Sequence, residues 1–299
     1  MPQLLYLAPV RFPTEKAHGL QIAQNCEAFV AVGYDVRLWT ARRFNTPEMR
    51  QISDIHAHYG VETTFGIERL PVIDLYPLAN GNLRLERIAF YFALLSYVIV
   101  VLLRLPFIDY DVIYSRDDYV LAILSRLLPA QKLAYEAHLF SPNPRGAKLQ
   151  SSVVQRVGSV VAITPRLAHD LIEQRGADPD ALIVAHDGVR EARFRDLPSR
   201  QAAREQLGWS QELVVLGFVG RLQMLNMDKG VGTLVDALSQ VDGVALGLVG
   251  GPDDMAQLLR EQWRGYGLPD KNFLYAGQVA PDRVPLYLSA FDICAMPHP

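Results

Sequence analysis

The stretch 213–238, LVVLGFVGRLQMLNMDKGVGTLVDAL, leaves few folds open to this chain. Residues 213–219 are apolar and end at Gly220, so they read as a strand buried on both faces. Val231, Leu234, Val235 and Leu238 then recur at i, i+3, i+4 and i+7, the stripe of an amphipathic helix over 229–239. A buried strand that feeds a helix is half of a right-handed βαβ crossover in a parallel sheet. Arg221 and Lys229 lie in the connecting loop. Ligands of open α/β sheets bind outside the carboxyl ends of the strands. Two cations there, beside the positive end of a helix dipole, suit a phosphate or diphosphate. An ordinary turn with two solvated cations is the other reading of this stretch taken alone.

The same alternation runs along the chain. Short apolar runs at 4–8, 34–40, 67–72, 112–115, 132–135, 160–163 and 182–185 read as strands, separated by helical patterns. One of these helices follows the loop 9–19, carries Ile22, Ala23, Cys26, Phe29 and Val30, and stops at Gly33. Residues 190–212 are rich in Arg and Glu and read as a connector with a short surface helix. After them the alternation resumes, with strands at 213–219, 244–249, 273–276 and 293–296. The fold class expected is α/β: two Rossmann-like doubly wound parallel-sheet domains, 1–190 and 191–299, the second incomplete. The length of 299 residues suits two domains of about 150 each.

Composition excludes several classes. The net charge of −3 is wrong for a nucleic-acid binder, which needs a basic face. Cys26 and Cys294 are far apart, so neither a disulfide framework nor a zinc site is expected, and a reducing cytoplasm fits. Residues 1–9 lack the basic and apolar regions of a secretory signal. The fingerprint G-x-G-x-x-G is absent from the first strand-helix unit, against an NAD enzyme. His56 and His58 have no third ligand and read as part of a surface helix. Residues 88–103 carry no charge, with Arg84 and Arg87 before them and Arg104 after. That run falls short of the ~20 residues of a membrane span. A buried helix of the first domain is the favoured reading, and a helix lying at a membrane surface with its arginines at the headgroups the alternative. His138 sits just past the strand end at Tyr135 and Glu136, where sites cluster in open sheets.

In order along the chain, the residues resemble the retaining glycosyltransferases of the GT-B fold, family 4 (glycosyl transferases group 1). Lys16-Ala17-His18-Gly19 and Gly33-Tyr34-Asp35-Val36 are similar to that family's K-x-x-G … G-H-D-V opening. Tyr110-Asp111-Val112-Ile113 with Arg116 resembles its D-V-I-x-x-R strand, and Glu136-Ala137-His138 its E-x-H strand end. His186-Asp187-Gly188-Val189 resembles its P-N-G-V-D segment, and Gly220-Arg221-Leu222 … Lys229-Gly230 its G-R-L … K-G signature. Gly250-Gly251-Pro252 resembles its G-x-G-P loop, and 287–297 (YLSAFDICAMP) its Y-x-x-A-D-V-x-x-x-P stretch. The family's glutamate pair, in an E-G-F-G-type segment, is expected after Pro297 and is not in this sequence. The chain therefore reads as a C-terminally truncated member, one that lacks part of the machinery.

The resemblance implies transfer of a sugar from a UDP-sugar or GDP-sugar to an acceptor hydroxyl, with retention and with no metal or other cofactor. It gives 1–190 the acceptor side and 191–299 the nucleotide-sugar side. The residues it points to are His138, Arg221 and Lys229 as catalytic, and Gly19, Glu136, Gly220, Gly250 and Gly251 as donor-binding. Glu136 would orient His138, Gly19 would let the backbone approach the diphosphate, and Asp292 reads as structural. The implied partners are the nucleotide sugar and a carbohydrate or lipid-linked acceptor in polysaccharide or glycolipid synthesis. Peripheral membrane contact through 84–104 remains the alternative that the apolar helix offers, and nucleic acid is not a partner. The expected location is the cytoplasm, at the inner face of the membrane if that helix touches lipid. Two further readings stay open on sequence: a sugar-nucleotide epimerase or sugar-phosphate synthase of the same fold, and a non-catalytic subunit that binds sugar nucleotide or membrane.

Overall fold

The computed structural model describes residues 1–61, 65–79, 81–224 and 227–297. The chain divides into two compact units, Met1–Gly188 and Val189–Pro299.

The first unit alternates β1 (Gln3–Ala8), α1 (Ala17–Ala31), β2 (Asp35–Arg42), α2 (Pro47–Arg50), α3 (Ile55–Tyr59), β3 (Gly66–Pro71), α4 (Leu83–Arg104), β4 (Val112–Ser115) and α5 (Asp118–Leu124). It continues with β5 (Leu133–Ala137), α6 (Pro144–Val154), β6 (Ser159–Ala162), α7 (Pro165–Arg175) and β7 (Leu182–Val184). The strands form one sheet in the order β3-β2-β1-β4-β5-β6-β7, every neighbouring pair parallel. This is a Rossmann-like sheet. Its order reverses between β1 and β4, the switch point at which such sheets bind ligands. Helix ends follow local chemistry. Thr164 caps α7 by accepting from Leu167 N at 3.1 Å, Pro165 takes the first helical position, and Gly176 closes the helix in the left-handed region.

The second unit holds α8 (Arg200–Leu207), β8 (Val214–Val219), a hairpin of β9 (Gln223–Met224) and β10 (Met227–Asp228), α9 (Val231–Leu238), β11 (Val244–Val249), α10 (Asp253–Gly265), β12 (Phe273–Gly277), α11 (Val284–Ala290) and β13 (Ile293–Cys294). Its main sheet is parallel, in the order β12-β11-β8-β13, with the reversal between β8 and β13. All of β11 is buried, which explains its unbroken apolar sequence.

Three local expectations need correction. Helix α1 begins at Ala17, so Gly19 lies in its first turn and not in the preceding loop. Strand β5 runs on to Ala137, which makes Glu136 a buried strand residue. The loop between β8 and α9 contains the β9–β10 hairpin, so the helix starts at Val231 rather than at 229. Residues 225–226 of that loop lie outside the described residues.

Helix α4 also departs from the favoured reading of a buried helix. Asn82 caps it, accepting from Arg84 N at 3.0 Å and Leu85 N at 3.3 Å. One face (Ala89, Ala93, Leu94, Tyr97, Val98, Val101) is buried against the first core, and the Tyr97 hydroxyl donates to Trp39 O at 2.7 Å. The opposite face carries Leu85, Ile88, Phe92, Leu95, Ile99 and Leu103, all exposed. The helix is apolar on both sides, and only one side has a partner in the fold. The segment Leu83–Phe107 is long and apolar enough to cross a membrane by length and composition. Its inner face is nonetheless committed to the core.

The second unit is pinned by an ion pair. The Arg204 side chain is 1% exposed, pairs with Asp292, and donates to Ala290 O at 2.9 Å and Leu213 O at 3.1 Å. Asp292 also accepts from Val215 N at 2.7 Å, so it ties the start of β13 to β8. Burial pushes the Asp292 carboxyl up, but the Val215 amide and Arg204 outweigh that and hold it below its usual value. The structural role expected for Asp292 is what its bonds show. Arg204→Ala leaves Asp292 only the partly exposed Arg200 as ion-pair partner and strands the Ala290 and Leu213 carbonyls, and should lower unfolding stability by about 3 kcal/mol in urea titrations. Arg204→Lys should recover only part, since one ammonium cannot reach Asp292 and both carbonyls together.

Candidate functional site

In the first unit, polar chemistry collects where β4 and β5 end. Arg116 follows the last residue of β4. Its Nη2 donates to His138 Nδ1 at 2.8 Å and its Nη1 to Gln21 Oε1 at 2.8 Å. His138 Nε2 lies 2.8 Å from Glu136 Oε1. A guanidinium only donates, so Nδ1 must accept and Nε2 carries the proton that Glu136 receives. The result is a relay from Arg116 through a neutral imidazole to a buried carboxylate. The Tyr6 hydroxyl and the Asn25 amide approach Glu136 at 3.4 and 3.3 Å. Gln21 also donates to Asp187, whose Oδ1 is 4.0 Å from His138 Nδ1.

Burial pushes the Glu136 carboxyl up, but the His138 hydrogen bond and the Arg116 charge overcome it, so its pKa lies below the usual value. The carboxylate is therefore ionised at neutral pH. Glu136, His138 and Asp187 bring ligand atoms within 4.8 Å of one another, a spacing a metal ion could use. The donor set fits an ion poorly. Both imidazole nitrogens are already engaged, and the Arg116 guanidinium supplies the positive charge that these carboxylates face.

Of the residues singled out from sequence, Glu136 and His138 come together as described. Gly19 is buried in the first turn of α1, two residues before Gln21. A Cβ there would fall on the Tyr59 hydroxyl and on Thr14 Cγ2. The packing of α1 on α3 thus already requires glycine at this position, whatever else approaches it. Arg116, Gln21, Asn25 and Asp187 were not among the chosen residues. A signal for them existed: Arg116 sits one residue past a strand end, as His138 does, and Gln21 and Asn25 are one turn apart on one side of α1.

In the second unit, Gly220 and Gly250 follow β8 and β11 with φ of +148° and +127°. Gly220 N donates to Val249 O at 2.8 Å, Leu222 N to Gly251 O at 2.9 Å, and Gly250 N to Gly277 O at 2.7 Å. A Cβ at Gly250 would fall on the Gly220 carbonyl, so the two loops interlock through bare backbone. Lys229 N donates to Leu222 O at 3.1 Å, folding the hairpin back onto the strand end. Gly230 then starts α9 with φ +78° and no side-chain cap. The first amides of α9 thus have no side-chain acceptor at the cap, and Arg221 and Lys229 belong to the same loop at the reversal of strand order. Arg221 is exposed and Lys229 half-buried. A helix start of this kind is a ready anion site.

No family model matches the chain. Over 118 residues it is 31% identical to the D-inositol 3-phosphate glycosyltransferase of Streptomyces scabiei, a match covering 38% of this chain and 26% of that protein. It is 32% identical over 158 residues to the protein of the same description from Mycobacterium marinum, covering 49% of this chain and 33% of the relative. The chain thus aligns with only about a quarter to a third of the curated relatives it matches. The crystal structure of Anabaena HepE in complex with UDP and glucose superposes with a TM-score of 0.69 at 21% identity, over 99% of this chain and 74% of that one. That likeness establishes the fold class: α/β with parallel sheets, as in solved glycosyltransferases of the GT-B type.

His18 beside this site offers a pH test. Burial, then Lys16 and Arg116, push its imidazole down to about 4. A folded-state pKa below the unfolded one near 6.5 means the unfolded chain binds the extra proton first. Stability should therefore fall as pH drops from about 6.5 towards 4, and less so in His18→Gln. The His18 ring signals should stay those of the neutral form at pH 5.5, and titration near 6.5 would contradict the structure.

Proposed function

We propose that this chain is the core of a family 4 retaining glycosyltransferase that moves a sugar from a UDP-sugar or GDP-sugar to an acceptor hydroxyl without a metal ion. The observation that carries the reading is the β8–α9 loop, where Arg221 and Lys229 accompany a helix start with no side-chain cap at a topological switch point. The description of the sequence relatives as glycosyltransferases and the UDP in the superposed structure support it.

The bond from sugar to diphosphate breaks through an oxocarbenium-like transition state, as in glycoside hydrolysis. Negative charge grows on the departing phosphate. Arg221, Lys229 and the first amides of α9 are preorganised to take it, with Gly220, Gly250 and Gly251 giving the backbone room to approach. His138 serves the sugar end through its Nε2 proton, which Glu136 holds in place until a sugar oxygen competes for it. Arg116 fixes the other ring nitrogen, so the tautomer is defined before substrate arrives. The second unit is accordingly the donor side and the first the acceptor side. The protein works in the cytoplasm.

Lys229→Ala and Arg221→Ala should each lower turnover by about 10²–10³, the effect of removing one such donor elsewhere, with thermal stability unchanged. Turnover should be insensitive to EDTA, and NMR of the product should show the donor's anomeric configuration. Full activity in both variants, or an inverted product, would sink the mechanism.

The exposed side of α4 fits peripheral membrane contact. Its outward face is apolar from Leu85 to Leu103, Arg84 and Arg87 lie exposed at its start, and neither arginine has an ion pair among the described residues. Large apolar side chains flanked by cations are the pattern of an interfacial helix on anionic lipid. Co-sedimentation with phosphatidylglycerol vesicles should be strong for the native chain and weak for Leu95→Asp/Ile99→Asp. Equal sedimentation of both would remove this contact.

A further inference from the structure

The first unit has a second concave site, away from the Glu136–His138 relay. It is a pocket of about 660 Å³ lined by Phe12, Ala41, Arg42, Arg43, Phe44, Asn45, Met49, Arg50, Ile52, Arg69, Val72 and Asp74. That volume is in the range of small-molecule sites. The pocket involves the last residue of β2, the last residue of α2 and a residue near the end of β3, so it too sits where strands end.

Its charge is one-sided. Four arginines line it against a single carboxylate. Asp74 is already occupied: it lies 3.7 Å from Arg43 Nε and accepts from Phe44 N at 2.7 Å. The Arg43 guanidinium lies 4.2 Å over the Tyr76 ring, which fixes that wall. Asn45 holds the other wall by donating to Pro13 O at 2.8 Å and accepting from Arg11 at 3.2 Å. Arg42, Arg50 and Arg69 are exposed and have no ion pair among the described residues. Three like charges around one cavity repel one another unless an anion joins them. Guanidinium groups match the oxygens of a phosphoryl group in pairs, and a phosphomonoester carries nearly two negative charges at neutral pH. Phe12, Met49, Ile52 and Val72 give the rest of such a ligand apolar walls.

We propose that this pocket binds a phosphoryl group, the anionic part of the acceptor. That it belongs to the acceptor rests on the transferase reading above; that it binds phosphate does not. The phosphoryl group has two sources, a soluble phosphoester and a lipid headgroup. The wall segment leads directly to α4, because Ile73 N donates to Ser96 Oγ at 2.9 Å, so a headgroup bound here would be held next to the helix with the exposed apolar face.

The test uses phenyl phosphate as probe and the 299-residue chain in calorimetry. The expected result is saturable binding that weakens at least about tenfold in Arg42→Gln/Arg69→Gln, two exposed positions whose loss should leave the melting temperature unchanged. Lys229→Ala should bind the probe like the native chain, and UDP affinity should be the same in the arginine variant. Equal affinity in the arginine variant, loss in Lys229→Ala instead, or equally tight binding of benzyl alcohol would each overturn the site. Vesicles of phosphatidylcholine with phosphatidic acid supply the second arm. Competition with phenyl phosphate identifies a lipid phosphate, and its absence a soluble phosphoester; either outcome supports the pocket once the arginine dependence holds. Phenyl phosphate binding with no affinity for either UDP or GDP would sink the transferase reading and leave this site standing.

Discussion

A parallel strand covered on both faces can present polar groups only at its ends. That constraint organises both units. In the first, β1, β4 and β5 are nearly all buried, and the ionisable side chains that the interior tolerates gather at one rim. Glu136 is the exception that proves costly: it sits inside β5, 4% exposed, and needs His138 and Arg116 to remain a carboxylate. The three form a unit in which each member decides the state of the next. Arg116 sets the tautomer of His138, and His138 presents its proton to Glu136.

The second unit solves a related problem with backbone instead of side chains. Gly250 approaches the Gly220 carbonyl so closely that it has no room for a Cβ, and amide-to-carbonyl bonds stitch the ends of β8, β11 and β12 together. The start of α9 and the two cations of its loop lie at these same strand ends. Fixed dipoles of this kind need no reorganisation as charge develops, which is the physical basis of the donor-side proposal. Asp292 and Arg204 act further back, holding β13 to β8 so that the reversal of strand order exists at all.

Apolar surface is distributed less evenly than an ordinary soluble unit requires. Helix α4 packs one face on the core and leaves the other exposed over most of its length. On sequence, a charge-free run of this composition reads first as a core helix and second as an interfacial one, because hydropathy does not record which face has a partner. The neighbouring arginine-lined pocket was not visible in sequence either. Arg42, Arg43, Arg50 and Arg69 are spread over two strands, a loop and a short helix, and nothing in their spacing brings Arg50 and Arg69 to the others.

The amino-acid order by itself determined the alternation of strand and helix, the parallel sheets, and the strand ends at which His138, Gly220 and Gly250 sit. Those follow from local periodicity and from glycines and prolines at turns, which act over a few residues. The stretch 213–238 put Arg221 and Lys229 in one loop, and motif order along the chain chose the diphosphate reading over an ordinary turn. Tertiary structure alone decided that Arg116, Gln21 and Asp187 meet His138, since their contacts join residues 22 to 166 apart in sequence. It alone gave Gly19 a packing reason and exposed one side of α4. Long-range packing chooses partners by shape and charge across the fold, and neither quantity is written in any single stretch of the chain.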